Sequence, residues 1–364
     1  MTENKENVFN KLAKVLDTLP NGYPSTESGV EIKLLKKIFT PEEADLFCDL
    51  RLTFETPQQI AERTGRPLEG LSEMLNSMWR NGQLFGVDFG EVQVYKMLPW
   101  VFGIYEFQLN RMDREFAQLC EEYNPIFGKQ FFSNKPQLMQ VIPIEKEISN
   151  NQKALAYEQV SNIIENGKSF AVNDCICKKE KKILDQPCDK PIEVCMAIAP
   201  APGVFEGNHP WGGRVITKQE AYEILKKAED AALVHMTSNI QNGQFYICNC
   251  CGCCCGVLRS INELGVSNAV NSNYYAVIDE NLCENCGLCA DERCQINAIV
   301  PEDNSYKILK DKCIGCGLCV TTCPTEAIKL VRKQDEQYIT PPLDENEWFK
   351  QRGKARGIDY SVYE

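Results

Sequence analysis

The chain has 364 residues and a formal net charge of −12, with 43% hydrophobic and 25% charged residues. That length holds two or three domains with real cores, and that composition excludes a disordered chain. The acidic balance disfavours duplex nucleic acid or an anionic membrane as partners reached through bulk positive charge.

The opening stretch, "MTENKENVFNKLAKVL", is polar and lacks the apolar core of a secretion signal. No run approaches the roughly 20 apolar residues that span a bilayer, so the expected location is cytoplasmic. Thr40-Pro-Glu-Glu and Thr56-Pro-Gln-Gln each place Thr at a helix N-cap, Pro at the first helical position and Glu or Gln three residues on. Two helices therefore start close together. From Thr56 to Trp100 the pattern reads helix, Gly turn, helix, hairpin, with the second helix expected over 67–80. This order resembles a winged helix-turn-helix domain. A DNA reader needs a basic recognition surface, yet from Glu31 to Lys96 eight basic residues face eleven acidic ones. The expected role is protein docking. The stretch "VFGIYEFQLNRMDREFAQLCEEY" is expected to continue as a helix.

Twenty cysteines and two histidines, His209 and His235, dominate the rest. Cys48 and Cys120 stand apart and read as small buried hydrophobes. The other eighteen lie between Cys175 and Cys323. Thiols in a reducing cytosol point to metal rather than disulfides, and sulfur-rich ligation selects zinc or iron–sulfur clusters.

The middle of the chain carries Cys175, Cys177, Cys188 and Cys195, then "CNCCGCCC" with Cys248, Cys250, Cys251, Cys253, Cys254 and Cys255. Ten thiols suffice for two cubanes, or for one cubane and a zinc. Thr217 opens a capping box before an amphipathic helix, "QFYIC" reads as a short strand, and Val257, Leu258, Ile261 and Leu264 share a helical face. The cysteine run is thus expected in a loop between a strand and a helix N-terminus, where free N–H groups face anionic sulfur. Adjacent cysteines cannot all face one centre, so the run is expected to divide between two. The charge run Lys178–Lys182 is read first as a solvated face; the alternative is that it offsets cluster charge, raises a potential or docks an acidic redox partner. His209, in a Pro/Gly-rich loop beside Trp211, is not favoured as a ligand, and His235 is expected at a helix end or in the core.

Toward the C-terminus, Cys283, Cys286 and Cys289 precede Cys294, and Cys313, Cys316 and Cys319 precede Cys323-Pro324. The flanks repeat too, with "YYAVIDENLC" and "YKILKDKC" entering the cysteines and "QINAIV" and "PTEAIKL" leaving them. About Asn271 to Arg332 resembles the two-cluster bacterial ferredoxin domain, a β-α-β repeat with pseudo-twofold symmetry. The resemblance implies one [4Fe–4S] cluster on Cys283, Cys286, Cys289 and Cys323, and another on Cys313, Cys316, Cys319 and Cys294. A pair of zinc sites is the alternative. Two departures stand out: four residues rather than three precede Cys294, and Gln295 replaces proline.

The expected fold is α+β in four parts. Residues 1–150 form a helical, winged-helix-like docking domain, 151–270 a cysteine-rich iron–sulfur domain, 271–335 the dicluster domain and 336–364 a tail. The tail either wraps a neighbouring subunit or is solvated. The whole pattern resembles multi-cluster iron–sulfur proteins of anaerobes, and the leading expectation is a chain that relays single electrons between a donor and a catalytic oxidoreductase subunit. Two clusters are expected in the C-terminal domain and one or two more centres in the middle, zinc being the alternative for one. Two rival functions are a redox-sensing DNA-binding regulator and a reductase with an open-site middle cluster. No dinucleotide fingerprint or nucleophile elbow is present.

Overall fold

The computed structural model describes residues 2–144, 155–207, 213–303 and 305–364; His209 and Trp211 lie outside them. The chain mixes helix and sheet, in the α+β class, and divides into two units. Among the described residues no helix is long and apolar enough to cross a membrane.

The first unit is built mainly from Met1–Phe131 and Arg352–Glu364. Its helices are α1 (Thr2–Thr18), α2 (Val30–Ile38), α3 (Pro41–Phe47), α4 (Pro57–Thr64) and α5 (Leu71–Arg80), followed by the hairpin β1 (Phe85–Asp88) and β2 (Gln93–Lys96). Leu12, Leu16, Leu34, Leu35 and Phe47 form fully buried parts of its core. Both Thr-Pro capping boxes are present: Glu43 N–H donates to Thr40 Oγ1 and Gln59 N–H to Thr56 Oγ1, each at 3.2 Å, and the Glu43 and Gln59 side chains accept in return. Thr56→Ala is expected to destabilise this unit by about 1 kcal/mol, seen as an earlier denaturation midpoint.

Two local expectations fail here. The second helix begins at Leu71 rather than at residue 67, because Gly70 takes a left-handed conformation at its N-cap. The helix expected from Val101 onward is broken by extended backbone at Val101 and Phe102. Short α6 (Tyr105–Phe107) follows, and α7 (Arg114–Ser133) begins only after a turn. The aromatics there turn inward instead, with Tyr23 packed 5.3 Å from Trp100 and 5.2 Å from Tyr123.

The second unit, mainly 132–206 and 213–351, is organised on a seven-stranded sheet. Its strands are β3 (Met139–Val141), β4 (Ser169–Asp174), β5 (Glu193–Ala199), β6 (Arg214–Ile216), β7 (Val234–Ser238), β8 (Tyr246–Cys250) and β9 (Val270–Asn271), in the order β6-β4-β5-β8-β7-β3-β9. Only the β3–β9 pair is parallel. Helices α8 (Val160–Asn166), α9 (Ile176–Ile183), α10 (Lys218–Asp230) and α11 (Gly256–Asn262) connect these strands. Ala221, Ile224, Leu225 and Ala228 of α10 pack on Phe170, Val172, Met196 and Ile247 of the sheet. Strand β10 (Tyr274–Ile278) pairs antiparallel with β13 (Ile328–Arg332), and β11 (Ile299–Glu302) pairs with β12 (Ser305–Ile308).

The C-terminal segment is exposed along part of its length but anchored at several buried residues. It contains α12 (Glu345–Arg356), whose Trp348 Nε1 donates to Gln137 O at 2.8 Å in the second unit. Within the first unit, Arg352 is fully buried and donates to Phe131 O at 2.6 Å, while Arg356 bonds Leu19 O and Asp17.

Candidate metal centres

The ferredoxin-like repeat brings its eight cysteines together crosswise. A cavity is lined by Cys283, Cys286, Cys289 and Cys323, so the last cysteine of the second motif faces the first triplet. Cys294 sits within electrostatic reach of Cys313, Cys316 and Cys319. Backbone amides point at the sulfurs: Ala298 N–H donates to Cys294 Sγ at 3.2 Å and Ala276 N–H to Cys313 Sγ at 3.4 Å. Burial pushes the Cys316 thiol up to about 12, despite the Leu318 N–H, and the Cys289 thiol up to about 11, despite the Ala290 N–H. At Cys323 burial also pushes upward, but the Thr325 hydroxyl and the N–H groups of Thr325, Ala327 and Ile328 outweigh it and lower the pKa. Buried thiols with aimed donors suit a bound cation, which displaces their protons.

Both departures from the ferredoxin pattern have a structural use. In the second half, the turn between Cys319 and Cys323 is tight, Cys323 N–H reaching Val320 O. In the first half a wide turn runs over Cys289–Arg293, with Cys294 N–H donating to Cys289 O at 3.1 Å, five residues back. A five-residue helical turn absorbs one extra residue without moving its ends out of line. The residue beside Cys294 in that turn, Arg293, is buried and donates to Leu318 O, Asp230 O, Glu229 O and Thr321 Oγ1. It ties the repeat to the end of α10. Gln295, in place of proline, accepts from Gly252 N–H at 3.0 Å through Oε1 and from Asn262 Nδ2 at 3.0 Å through its carbonyl. Each half turns between its first two cysteines through a left-handed residue, Asn285 or Gly315. Only glycine serves in the second half, where a Cβ would stand 2.2 Å from Tyr274 O.

The ten middle cysteines fall into two groups. Cys175, Cys177, Cys255, Cys250, Cys248 and Cys195 form a closed ring of neighbours, each thiol within interaction range of the next and Cys195 of Cys175. Cys188, Cys251, Cys253 and Cys254 form the other group, all four sulfurs within 4.8 Å of one another. The division follows from strand geometry. β8 extends through Cys250, two residues beyond the Cys248 at which the expected strand ends, so Cys248 and Cys250 point to one face of the strand. Cys251 then starts the turn on the opposite side, and Cys255 returns at the N-cap of α11. Cys175 is likewise the N-cap of α9, and Cys195 lies on β5 next to β8.

Three residues support the middle thiols, and of these Asn249 carries no signal in the sequence. Lys178 is 4% exposed, donates from Nζ to Asn249 O at 3.3 Å, and lies near Cys175, Cys251, Cys250 and Cys195. The run Lys178–Lys182 is therefore not a solvated face: Lys178, Glu180 and Lys181 are all buried. The signal was the spacing, since residue 178 lies one helical turn beyond N-cap Cys175. His235, expected at a helix end or in the core, is in the core: it is 5% exposed on β7, α10 having stopped at Asp230. Burial holds it below its ordinary pKa and thus neutral, and its Nδ1–H donates to Asn249 Oδ1 at 2.6 Å. The Asn249 amide in turn donates to Val194 O, fixing the strand between Cys248 and Cys250. Cys48 and Cys120 are buried in the first unit, and burial pushes the Cys48 thiol up to about 12.

Residues 276–330 match the family model of a 4Fe-4S dicluster domain. Over 88 residues the chain is 32% identical to an uncharacterized ferredoxin of Methanocaldococcus jannaschii, covering 24% of this chain and 51% of that protein. Over 52 residues it is 38% identical to the pyruvate synthase subunit PorD of Methanothermobacter marburgensis, covering 14% of this chain and 56% of that one. The chain spans about half the length of these curated relatives. No solved structure matches it. The C-terminal part of the second unit is a ferredoxin-type iron–sulfur domain.

Proposed function

We propose that this ferredoxin-type domain makes the chain an electron-transfer subunit of a cytoplasmic redox complex, delivering single electrons to or from a catalytic oxidoreductase partner. The crosswise gathering of the two cysteine quartets is the observation that carries this reading. One [4Fe–4S] cluster belongs on Cys283, Cys286, Cys289 and Cys323 and the other on Cys313, Cys316, Cys319 and Cys294. Each such cluster, when bound, accepts and releases one electron at a potential set by hydrogen bonds, charge and exposure. The chain's part is to aim amides at the sulfurs and to leave one edge open. Cys286 is exposed, with Leu282 and Leu288 exposed beside it, which gives a partner an apolar approach to the first quartet. The six-thiol ring is read as holding a further redox centre. The similarity to PorD supports assignment to a larger complex.

The first unit is read as a docking module resembling a winged helix. Two arginines preceding α5 are paired internally, Arg66 with Asp45 and Asp49 and Arg63 with Glu55, which disfavours their binding to phosphate.

Anaerobically purified protein is expected to carry about eight irons and eight acid-labile sulfides in the dicluster domain alone. Dithionite should give the EPR signal of two interacting reduced cubanes, and Cys316→Ala should remove one of them. Zinc in these eight-cysteine sites, or iron without sulfide, would refute the electron-transfer reading.

A further inference from the structure

We infer that Cys188, Cys251, Cys253 and Cys254 form a mononuclear tetrathiolate zinc site, separate from every redox centre of the chain. A tetrahedral zinc with Zn–S bonds of about 2.3 Å holds its four sulfurs about 3.8 Å apart. Here all four sulfurs lie within 4.8 Å of one another, and Cys253 Sγ and Cys254 Sγ are 3.7 Å apart. A cubane cannot sit in so small a set, because its four thiolates bind four different irons with sulfides between them. The same molecule supplies the contrast. Among the described residues, no three of the ferredoxin-like cysteines and no three of the six-thiol ring draw together as closely.

The placement suits a clasp. Cys188 comes from the loop after α9, and the other three from the turn between β8 and α11. Metal at this point would pin those two segments to each other, beside Gly252, whose N–H meets Gln295 of the ferredoxin-type domain. Binding joins Zn²⁺ to four sulfurs with release of four thiol protons, which leaves a site of net charge −2. Lys178, buried next to Cys251, offsets part of it. Four protein sulfurs fill the tetrahedron and leave no open position for substrate, so the role is structural.

The test uses the full chain purified without oxygen and dialysed against a chelator. About one zinc per chain is expected, falling at least about fivefold in Cys253→Ser while iron, sulfide and the dicluster EPR signal are retained. Cys253 is the exposed member, which makes this variant the mildest. If it does not fold, cobalt exchanged into the unaltered chain gives the second readout: the intense visible bands of a tetrahedral Co(II) tetrathiolate. The inference fails if Cys253→Ser keeps its zinc. It also fails if the variant loses about four irons with their sulfide instead, or if cobalt shows no tetrathiolate spectrum. The electron-transfer reading is judged by the dicluster signal alone and survives or falls independently.

Discussion

Gly252→Ala should cost the second unit on the order of 3 kcal/mol, at the upper end of what overpacking does in a tight core. A Cβ at position 252 would stand 1.9 Å from Gln295 O, 2.9 Å from its carbonyl carbon and 3.0 Å from Asn262 Nδ2. The nearest atoms are backbone, so no rotamer change relieves the clash. Either the cysteine turn or the segment after Cys294 has to move, and each is attached to a predicted metal site. For a unit of this size the melting temperature should fall by about 6–12 °C. Gln295→Ala provides the comparison: it deletes the acceptor of the Gly252 N–H but adds no clash, and should cost only about 1 kcal/mol. Equal melting temperatures for Gly252→Ala and the unaltered chain would show that the two segments do not abut.

The same contact explains why this repeat departs from the ordinary ferredoxin pattern. Arg293 occupies the wide turn that the extra residue creates, and Gln295 stands where proline would present no amide side chain. One residue bonds the end of α10 and the other the cysteine turn. The departures are the contacts by which a small cluster domain is fixed to a larger sheet.

The elements legible in the sequence were those written locally. Three capping boxes, at Thr40, Thr56 and Thr217, were readable because each lies within four residues. The crossing of Cys294 and Cys323 was readable only through the ferredoxin resemblance, since spacing does not say which distant sulfur meets which triplet. Within "CNCCGCCC" the division into two groups was foreseen from crowding, but its membership was not. Membership depended on how far β8 runs, and strand ends are set by pairing with β5 and β7 rather than by the residues themselves. The solvated-face reading of Lys178 fails for a related reason. A run of charges looks solvated until a helix begins at Cys175 and turns one of them inward among thiols. The C-terminal segment was similarly opaque: its composition is polar, but Trp348 and Arg352 find buried carbonyl acceptors far away in sequence.

If the six-thiol ring holds the further redox centre proposed above, Lys178→Met should lower its midpoint potential by on the order of 100 mV. The ammonium is buried next to three of the ring's cysteines, Cys175, Cys250 and Cys195, and methionine keeps its volume without the charge. Reduction adds an electron, and a nearby cation stabilises the reduced form more than the oxidised one. Removing it therefore makes reduction harder, which fixes the sign. At a separation of about 6 Å and an effective dielectric of about 20 the interaction is about 2.8 kcal/mol, or about 120 mV for one electron. The dicluster potentials should move far less, because Lys178 lies among the middle thiols. A zinc at Cys251 has no potential to shift, so a redox titration followed by EPR reads the ring alone. An upward shift, or a shift shared equally by all centres, would show that Lys178 does not act on a redox-active ring.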